Sequence, residues 1–211
     1  MKKTTFLLSF LLLACSDAEM VENWKNPDHV IFHANKVLLV GMTQDTAARE
    51  AFETKLKSAF DARGADAMRS LDVFDVSFTN AKRTEKELDA VEQSLLDKDF
   101  DAILLTKITG SDSKNRLRKT FSELNLNPNG FKEDYLNDQE VFYNAEYYDQ
   151  YTVYHAETSL YCICVDKERS LIWRGSVDIY DPKQVSKTVD DYVKLIVMAM
   201  EEQDLVFYEP L

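Results

Sequence analysis

The fold is decided by residues 36–64, which read KVLLVGMTQDTAAREAFETKLKSAFDARG. Val37 to Val40 form a continuous β-favouring run, which is typical of a strand buried on both faces. A helix capped at Asp45 or Thr46 is predicted next, and Gly64 marks its end. Its apolar residues recur at helical spacing and form one stripe: Ala48, Phe52, Leu56, Ala59 and Phe60. This stretch predicts a strand and a helix that face a common core.

A second unit of the same kind follows. A strand is predicted around Met68 to Val76, and Thr84 with Glu87 forms the capping box that starts a helix. Asp101 to Ile108 is then predicted as another buried strand. The order of elements is therefore β-α-β-α-β up to this point.

The C-terminal part predicts a hairpin and a last helix. Thr152 to Val165 and Leu171 to Tyr180 alternate apolar and polar residues, as antiparallel strands with one packed and one wet face do. Asp181 is predicted to cap the last helix and Pro182 to occupy its first position. We therefore expect a single α/β sandwich domain: a mixed sheet of about five strands with three helices chiefly on one face.

The predicted domain organisation has three parts. Residues 1–14 are a lipoprotein signal peptide, residues 15–35 a polar, irregular lipid-anchored tether, and residues 36–211 the single α/β domain. An insertion at 109–150 lies between two strands of the sheet, and loops of this length are usually functional or mobile.

Aromatic residues are interleaved with acids in the second half of the insertion. Aromatic side chains among polar ones are favoured in interface cores, so we consider five of them a candidate partner surface: Tyr135, Phe142, Tyr143, Tyr147 and Tyr148. The alternative is that the insertion folds back as a hairpin whose aromatics cover the wet face of the sheet.

The N-terminus indicates export and lipidation. Lys2 and Lys3 precede a short apolar run that is too short to span a bilayer, which is the pattern of a secretory signal. Leu12 to Cys15 (LLAC) resembles the lipobox of bacterial lipoproteins. That resemblance implies diacylation of Cys15 and cleavage before it, so the mature chain would be membrane-anchored through acyl chains. Ser16 directly after the cysteine favours the outer membrane, with the periplasmic or surface side left open.

Composition and the remaining cysteines restrict the function. A net charge of −12 disfavours binding to nucleic acid, since like charges repel. Cys162 and Cys164 lie two apart on a predicted strand and are therefore poorly placed for a disulfide, so we expect buried small side chains. Asp97, Asp99 and Asp101 are interpreted as a solvated lead-in to a strand. No metal site and no cofactor are predicted.

The chain resembles a family of Bacteroidetes outer-membrane lipoproteins, some of which are labelled cardiolipin synthetase. The similarity lies in residues 24–28, 33–43, 63–64 and 99–107 and covers most of the mature chain. The order of elements is also similar to the small α/β domain of lipoproteins that activate penicillin-binding proteins or build secretion channels.

The synthetase label does not agree with the residues. Phospholipase-D-type synthases use two copies of His-x-Lys-(x)4-Asp, and the nearest approach here, His33 to Lys36, is one residue too long. Val40 to Thr43 follows a buried strand as a phosphate-binding turn would, but without the required glycines, so we interpret it as a tight turn. We expect a non-catalytic, lipid-anchored binding or assembly factor with an envelope protein partner. The alternative is an envelope enzyme acting on phospholipid or glycan.

Overall fold

The expected α/β fold is confirmed. The computed structural model describes residues 18–29, 31–43, 45–74, 82–111, 130, 132, 135–136, 153–163, 170–180, 182 and 184–207. In chain order the elements are β1 (Ala18–Lys25), β2 (Lys36–Met42), α1 (Thr46–Asp61), β3 (Asp66–Arg69), α2 (Ser70–Val73), α3 (Glu85–Leu96), β4 (Ala102–Gly110), β5 (Val153–Cys162), β6 (Ser170–Tyr180) and α4 (Val185–Glu201). Among these helices none is both long and apolar enough to cross a membrane.

The strands form one mixed sheet in the order β1-β6-β5-β4-β2-β3. β2 runs parallel to β3 and β4, whereas β4, β5, β6 and β1 pair antiparallel in turn. The predicted hairpin of β5 and β6 is confirmed, and the sheet has one strand more than expected.

Two of the three long helices lie on one face of the sheet. The connection from β2 to β3 leads toward the edge of the sheet, whereas the connection from β3 to β4 leads back past β2. Right-handed connections in opposite directions place their helices on opposite faces. Phe52 and Leu56 of α1 accordingly pack with α4 in one core cluster, and Leu88 of α3 packs in a second cluster on the other face.

The additional strand is β1, which lies in the predicted tether. The prediction of an irregular tether at residues 15–35 is wrong for Ala18–Lys25, since this segment pairs antiparallel with β6. Its polar sequence misled the prediction, because an edge strand with partly exposed side chains needs few apolar residues. Ala18 is nevertheless 5% exposed and belongs to the first core cluster. The body thus begins three residues after Cys15.

The end of β3 and the start of the last helix differ from the prediction. The strand expected to reach Val76 ends at Arg69, because Glu53 accepts hydrogen bonds from the Ser70 hydroxyl (2.7 Å) and the Leu71 amide (3.1 Å) and turns the chain into α2. The last helix begins at Val185 with Gln184 as its N-cap, not at Pro182. β6 continues to Tyr180, four residues before the N-cap. Asp181 lies outside the described residues.

The second face of the β5–β6 hairpin is not wet. Glu157 and Ser159 are 7% and 2% exposed. The Glu157 carboxylate pairs with Lys107 (3.1 Å) and Arg174 (3.2 Å). Burial opposes ionisation, but the two cations outweigh it and hold the pKa of Glu157 below its ordinary range. A compensated ion cluster therefore occupies the face that the alternation assigned to solvent.

Cys162 is buried as expected, at 1% exposure, but it is disulfide-bonded, so the prediction against a disulfide is wrong. Alternate side chains lie parallel, and so resist pairing, only where residues 162–164 continue a regular strand. β5 ends at Cys162, however, and Ile163 is already outside the strand. The other cysteines of the chain, Cys15 and Cys164, both lie outside the described residues.

Candidate functional site

A pocket opens at the carboxyl ends of the parallel strands β2 and β4. It has a volume of about 530 Å³ and is lined by Met42 from β2 and Ile108 from β4. After β2 the chain turns toward β3, and after β4 it continues to β5 on the other side. In open α/β sheets, ligands bind in the crevice outside the strand ends where neighbouring connections diverge in this way. We refer to this cavity as the end pocket.

The walls of the end pocket are mostly apolar. They come from the N-terminal halves of α1 and α4 and from one end of the sheet: Ala48, Phe52, Ile108, Tyr154, Ala156, Ile179, Val185 and Val189. Ligand pockets typically have volumes of about 300–1,000 Å³ and apolar walls with a few placed polar groups. The end pocket falls within this description.

Three hydroxyl groups form a polar chain beside these walls. The Thr158 hydroxyl lies 2.7 Å from the hydroxyl of Thr106 and 2.7 Å from that of Tyr192. Burial raises the pKa of Tyr192 well above its usual range, so its phenol stays protonated. Thr106 and Tyr192 both line the pocket. Thr106 and Tyr192 therefore contribute neutral hydroxyls to the lining of the cavity.

Thr188 differs from these three hydroxyls. It lines the end pocket and is 7% exposed, yet within the described structure its Oγ1 has no hydrogen-bond partner. Its backbone amide bonds the Gln184 carbonyl, as α4 requires. An unpaired buried hydroxyl costs about 1–3 kcal/mol. The Oγ1 atom is itself sealed from solvent, so a ligand in the pocket would recover this free energy by accepting its hydrogen bond once the Thr188 side chain rotates toward the cavity.

The start of α4 lies beside Thr188. Gln184, the N-cap, makes no side-chain hydrogen bond to the helix, and the first turn contains no acidic residue. The first amide groups of a helix lack intrahelical partners and carry a partial positive charge. Val185, the first residue of α4, also lines the pocket. This side of the cavity consequently favours an oxygen acceptor, such as a carbonyl group.

The charged groups of the lining are already engaged. Asp45 Oδ1 accepts the Ala48 amide at 3.0 Å and caps α1, as the sequence predicted. Lys107 pairs with Glu157. In the described ranges no group of three or more His, Cys, Asp or Glu side chains could hold a metal ion.

The segment predicted as a tight turn lies at the rim of the end pocket. Gly41 and Met42 continue β2, and Thr43 follows it. The Gly41 amide donates to Glu53 Oε1 at 3.0 Å. A Cβ at Gly41 would lie 3.2 Å from the Phe52 ring, so the glycine permits close packing of α1 on β2.

The predicted partner surface is described at Tyr135 alone. Tyr135 is 7% exposed and packs in the second core cluster. Lys132, three residues earlier, pairs with Glu85 and Asp89 of α3 at 2.8 and 2.9 Å. Phe142, Tyr143, Tyr147 and Tyr148, like Cys15, lie outside the described residues. The aromatic surface and the lipidation of Cys15 remain predictions.

Sequence reasoning did not find the end pocket. Thr106 interrupts a run of buried aliphatic residues, and Thr188 and Tyr192 bring hydroxyls to the apolar side of the last helix. Such hydroxyls need partners when buried, and this was the signal available. It could not show that they meet, because β4, β5 and α4 are far apart in the chain.

Comparisons with known proteins give similarity of fold at a low level. No family model and no curated protein matches the chain. A PelC dodecamer structure from Paraburkholderia phytofirmans has 10% identity and a TM-score of 0.44, over 89% of this chain and 98% of that one. The lipoprotein GNA1162 from Neisseria meningitidis has 13% identity and a TM-score of 0.40, over 79% and 96%. Both TM-scores are low, and the proposals below depend on the residues of this chain alone.

Proposed function

We propose that the protein is a lipid-anchored, non-catalytic binding protein of the cell envelope, and that the end pocket is its ligand site. The observation that carries the proposal is the apolar cavity with the buried, unpartnered hydroxyl of Thr188 in its lining. The ligand class that fits is a small amphiphile with an apolar body and an oxygen acceptor at one end.

The position of the predicted anchor supports this proposal. Ala18, the first residue of β1, is paired with Ile179, which lines the end pocket. Cys15 lies three residues before Ala18. An extended chain spans at most about 3.3–3.6 Å per residue, so a lipidated Cys15 lies within about 10 Å of Ala18 and holds this end of the sheet near the membrane. A ligand from the membrane would then enter without crossing much water.

The residues of the pocket support binding over hydrolysis of a glycan. Glycosidases use two carboxyl groups that flank the scissile bond. The described lining contains one carboxylate, Asp45, which is committed to capping α1. The hydroxyl of Tyr192 stays protonated and so lacks the basicity of a nucleophile.

The test is to identify what the protein carries. A Cys15→Ala form, exported but without acyl chains, would be purified without detergent and its organic extract analysed by mass spectrometry. We expect a stoichiometric amphiphile in this form and in Cys15→Ala with Met198→Trp, an exposed position on α4 that does not line the pocket. The ligand should be lost with Val189→Trp on the same helix, which fills the pocket. Equal retention by both tryptophan variants would refute the proposal, and so would a parent form that is empty and also fails to bind an added fatty acid saturably.

Location and partner complete the proposal. We propose the outer membrane as the site of anchoring, because Ser16 follows Cys15, and an envelope protein as a partner at the aromatic part of the insertion. Crosslinking in intact cells, with and without residues 134–149, tests the partner. The proposal is supported if a specific partner crosslinks to the full-length protein and not to the folded deletion variant. It is contradicted if both forms recover the same partner.

A further inference from the structure

The geometry points to a specific occupant of the end pocket: one of the acyl chains carried by the protein's own Cys15. This inference depends on the proposed ligand site and on the predicted lipidation of Cys15. It goes beyond them by naming the ligand and its source. One acyl chain of the anchor would then lie inside the protein, and insertion of that chain into the membrane would compete with its binding in the pocket.

The length of chain before β1 is the first argument. β1 runs antiparallel to β6, so its first residue, Ala18, lies at the same end of the sheet as Ile179 and the pocket. Ala18 is buried on the face that carries the first core cluster, which also contains Ile179. Residues that precede Ala18 continue past this end of the sheet. Three residues reach about 10 Å at most, which restricts Cys15 to the neighbourhood of the pocket.

Chemical fit is the second argument. An acyl chain is unbranched and apolar, and the walls of the pocket are apolar side chains of α1, α4 and the sheet. Its ester or amide carbonyl accepts hydrogen bonds. Thr188 Oγ1, which is buried and has no partner in the described structure, can donate one when the threonine side chain rotates toward the cavity. The first turn of α4, whose N-cap Gln184 makes no capping hydrogen bond, favours the same carbonyl oxygen.

Effective concentration is the third argument. A group tethered within a few residues of a site binds as an intramolecular ligand, at an effective concentration in the millimolar range for short flexible linkers. A phospholipid that enters the same pocket must leave the bilayer in a separate binding event. The tethered chain therefore has an advantage for which no additional contact is needed.

Photo-crosslinking of the lipidated protein tests the inference. Cells would be fed a fatty acid that carries a diazirine, so that the acyl groups on Cys15 and those of phospholipids both carry the probe. After irradiation, the protein would be digested and its crosslinked peptides identified by mass spectrometry. We expect a crosslink that joins the Cys15 peptide to residues 185–192 of α4. It should persist with Met198→Trp and be lost with Val189→Trp.

Two results would overturn the inference. Crosslinks of α4 to phospholipid alone would identify a membrane lipid as the occupant, and the absence of any crosslink to the pocket would leave the anchor outside it. A titration of the Cys15→Ala form with a fluorescent fatty acid separates these failures from failure of the proposed function. Saturable binding in that titration keeps the ligand site, whereas no binding removes the site and the inference together.

Discussion

Thr188 and Thr158 allow the same chemical change to be made at two buried positions with opposite expected effects on stability. The Thr188 hydroxyl has no partner in the described structure, whereas the Thr158 hydroxyl bonds both Thr106 and Tyr192. Both residues are buried, at 7% and 0% exposure. Replacing threonine by valine keeps the shape of the side chain and removes the hydroxyl.

For Thr188→Val the change removes a buried group that pays for its desolvation without a bond. We expect stabilisation of the ligand-free protein by about 1 kcal/mol, which raises Tm by roughly 2–4 °C in a chain of this length. Helix propensity does not interfere, since threonine and valine are nearly equal in that respect. Ligand binding should weaken at the same time, because the donor to the ligand is gone.

For Thr158→Val the expected sign is reversed. Two buried hydroxyls, those of Thr106 and Tyr192, lose their common partner and keep only their interaction with each other. A buried hydroxyl left unsatisfied costs about 1–3 kcal/mol. We expect a loss of about 2 kcal/mol and a Tm lower by roughly 4–8 °C. Urea unfolding of the ligand-free Cys15→Ala protein and of the two variants measures both values. If Thr188→Val destabilises the protein as much as Thr158→Val does, the hydroxyl of Thr188 is paired and the ligand argument fails.

Three further predictions concern the sheet. Glu157→Gln removes the buried carboxylate that pairs with the partly buried Lys107 and Arg174 and should cost about 3–5 kcal/mol. Because the folded pKa of Glu157 is lowered, its contribution is present above the unfolded pKa and is lost as pH falls through the folded pKa, so the urea midpoints of wild type and variant should converge in acid. Gly175→Ala places a Cβ 2.4 Å from the Trp173 ring and should destabilise by about 1–3 kcal/mol, with a shift in tryptophan fluorescence; an unchanged spectrum and stability would contradict this contact. If Cys15 is lipidated, its sulfur cannot form a disulfide, so Cys162 should pair with Cys164. Thiol alkylation of the denatured Cys15→Ala protein should then label no cysteine unless the protein is first reduced. Labelling without reduction would show that Cys15 is the partner.

Much of the fold could be predicted because its signals are local. The run Val37 to Val40, the Asp45 cap, the capping box at Thr84 and the alternation in the hairpin each specify an element through neighbouring residues. These elements and their order are confirmed. The strand β1 was missed because its pairing with β6 is decided by residues more than a hundred positions away.

The end pocket could not be predicted for the same reason. Thr106, Thr158 and Tyr192 look like unrelated polar residues in three apolar elements, and their 2.7 Å contacts exist only in the folded chain. The ion cluster of Glu157 was misread because alternation reports which residues share a face and does not report whether that face is covered. Charge at a buried position becomes recognisable only when Lys107 and Arg174 are seen beside it.

The central claim is that the end pocket binds an apolar chain, and its most direct test is a fluorescence titration of the detergent-free Cys15→Ala protein with a naturally fluorescent fatty acid. The account predicts saturable binding at one site per protein, unchanged by Met198→Trp and abolished by Val189→Trp. Non-saturable partitioning, or binding that is the same in both tryptophan variants, would contradict it.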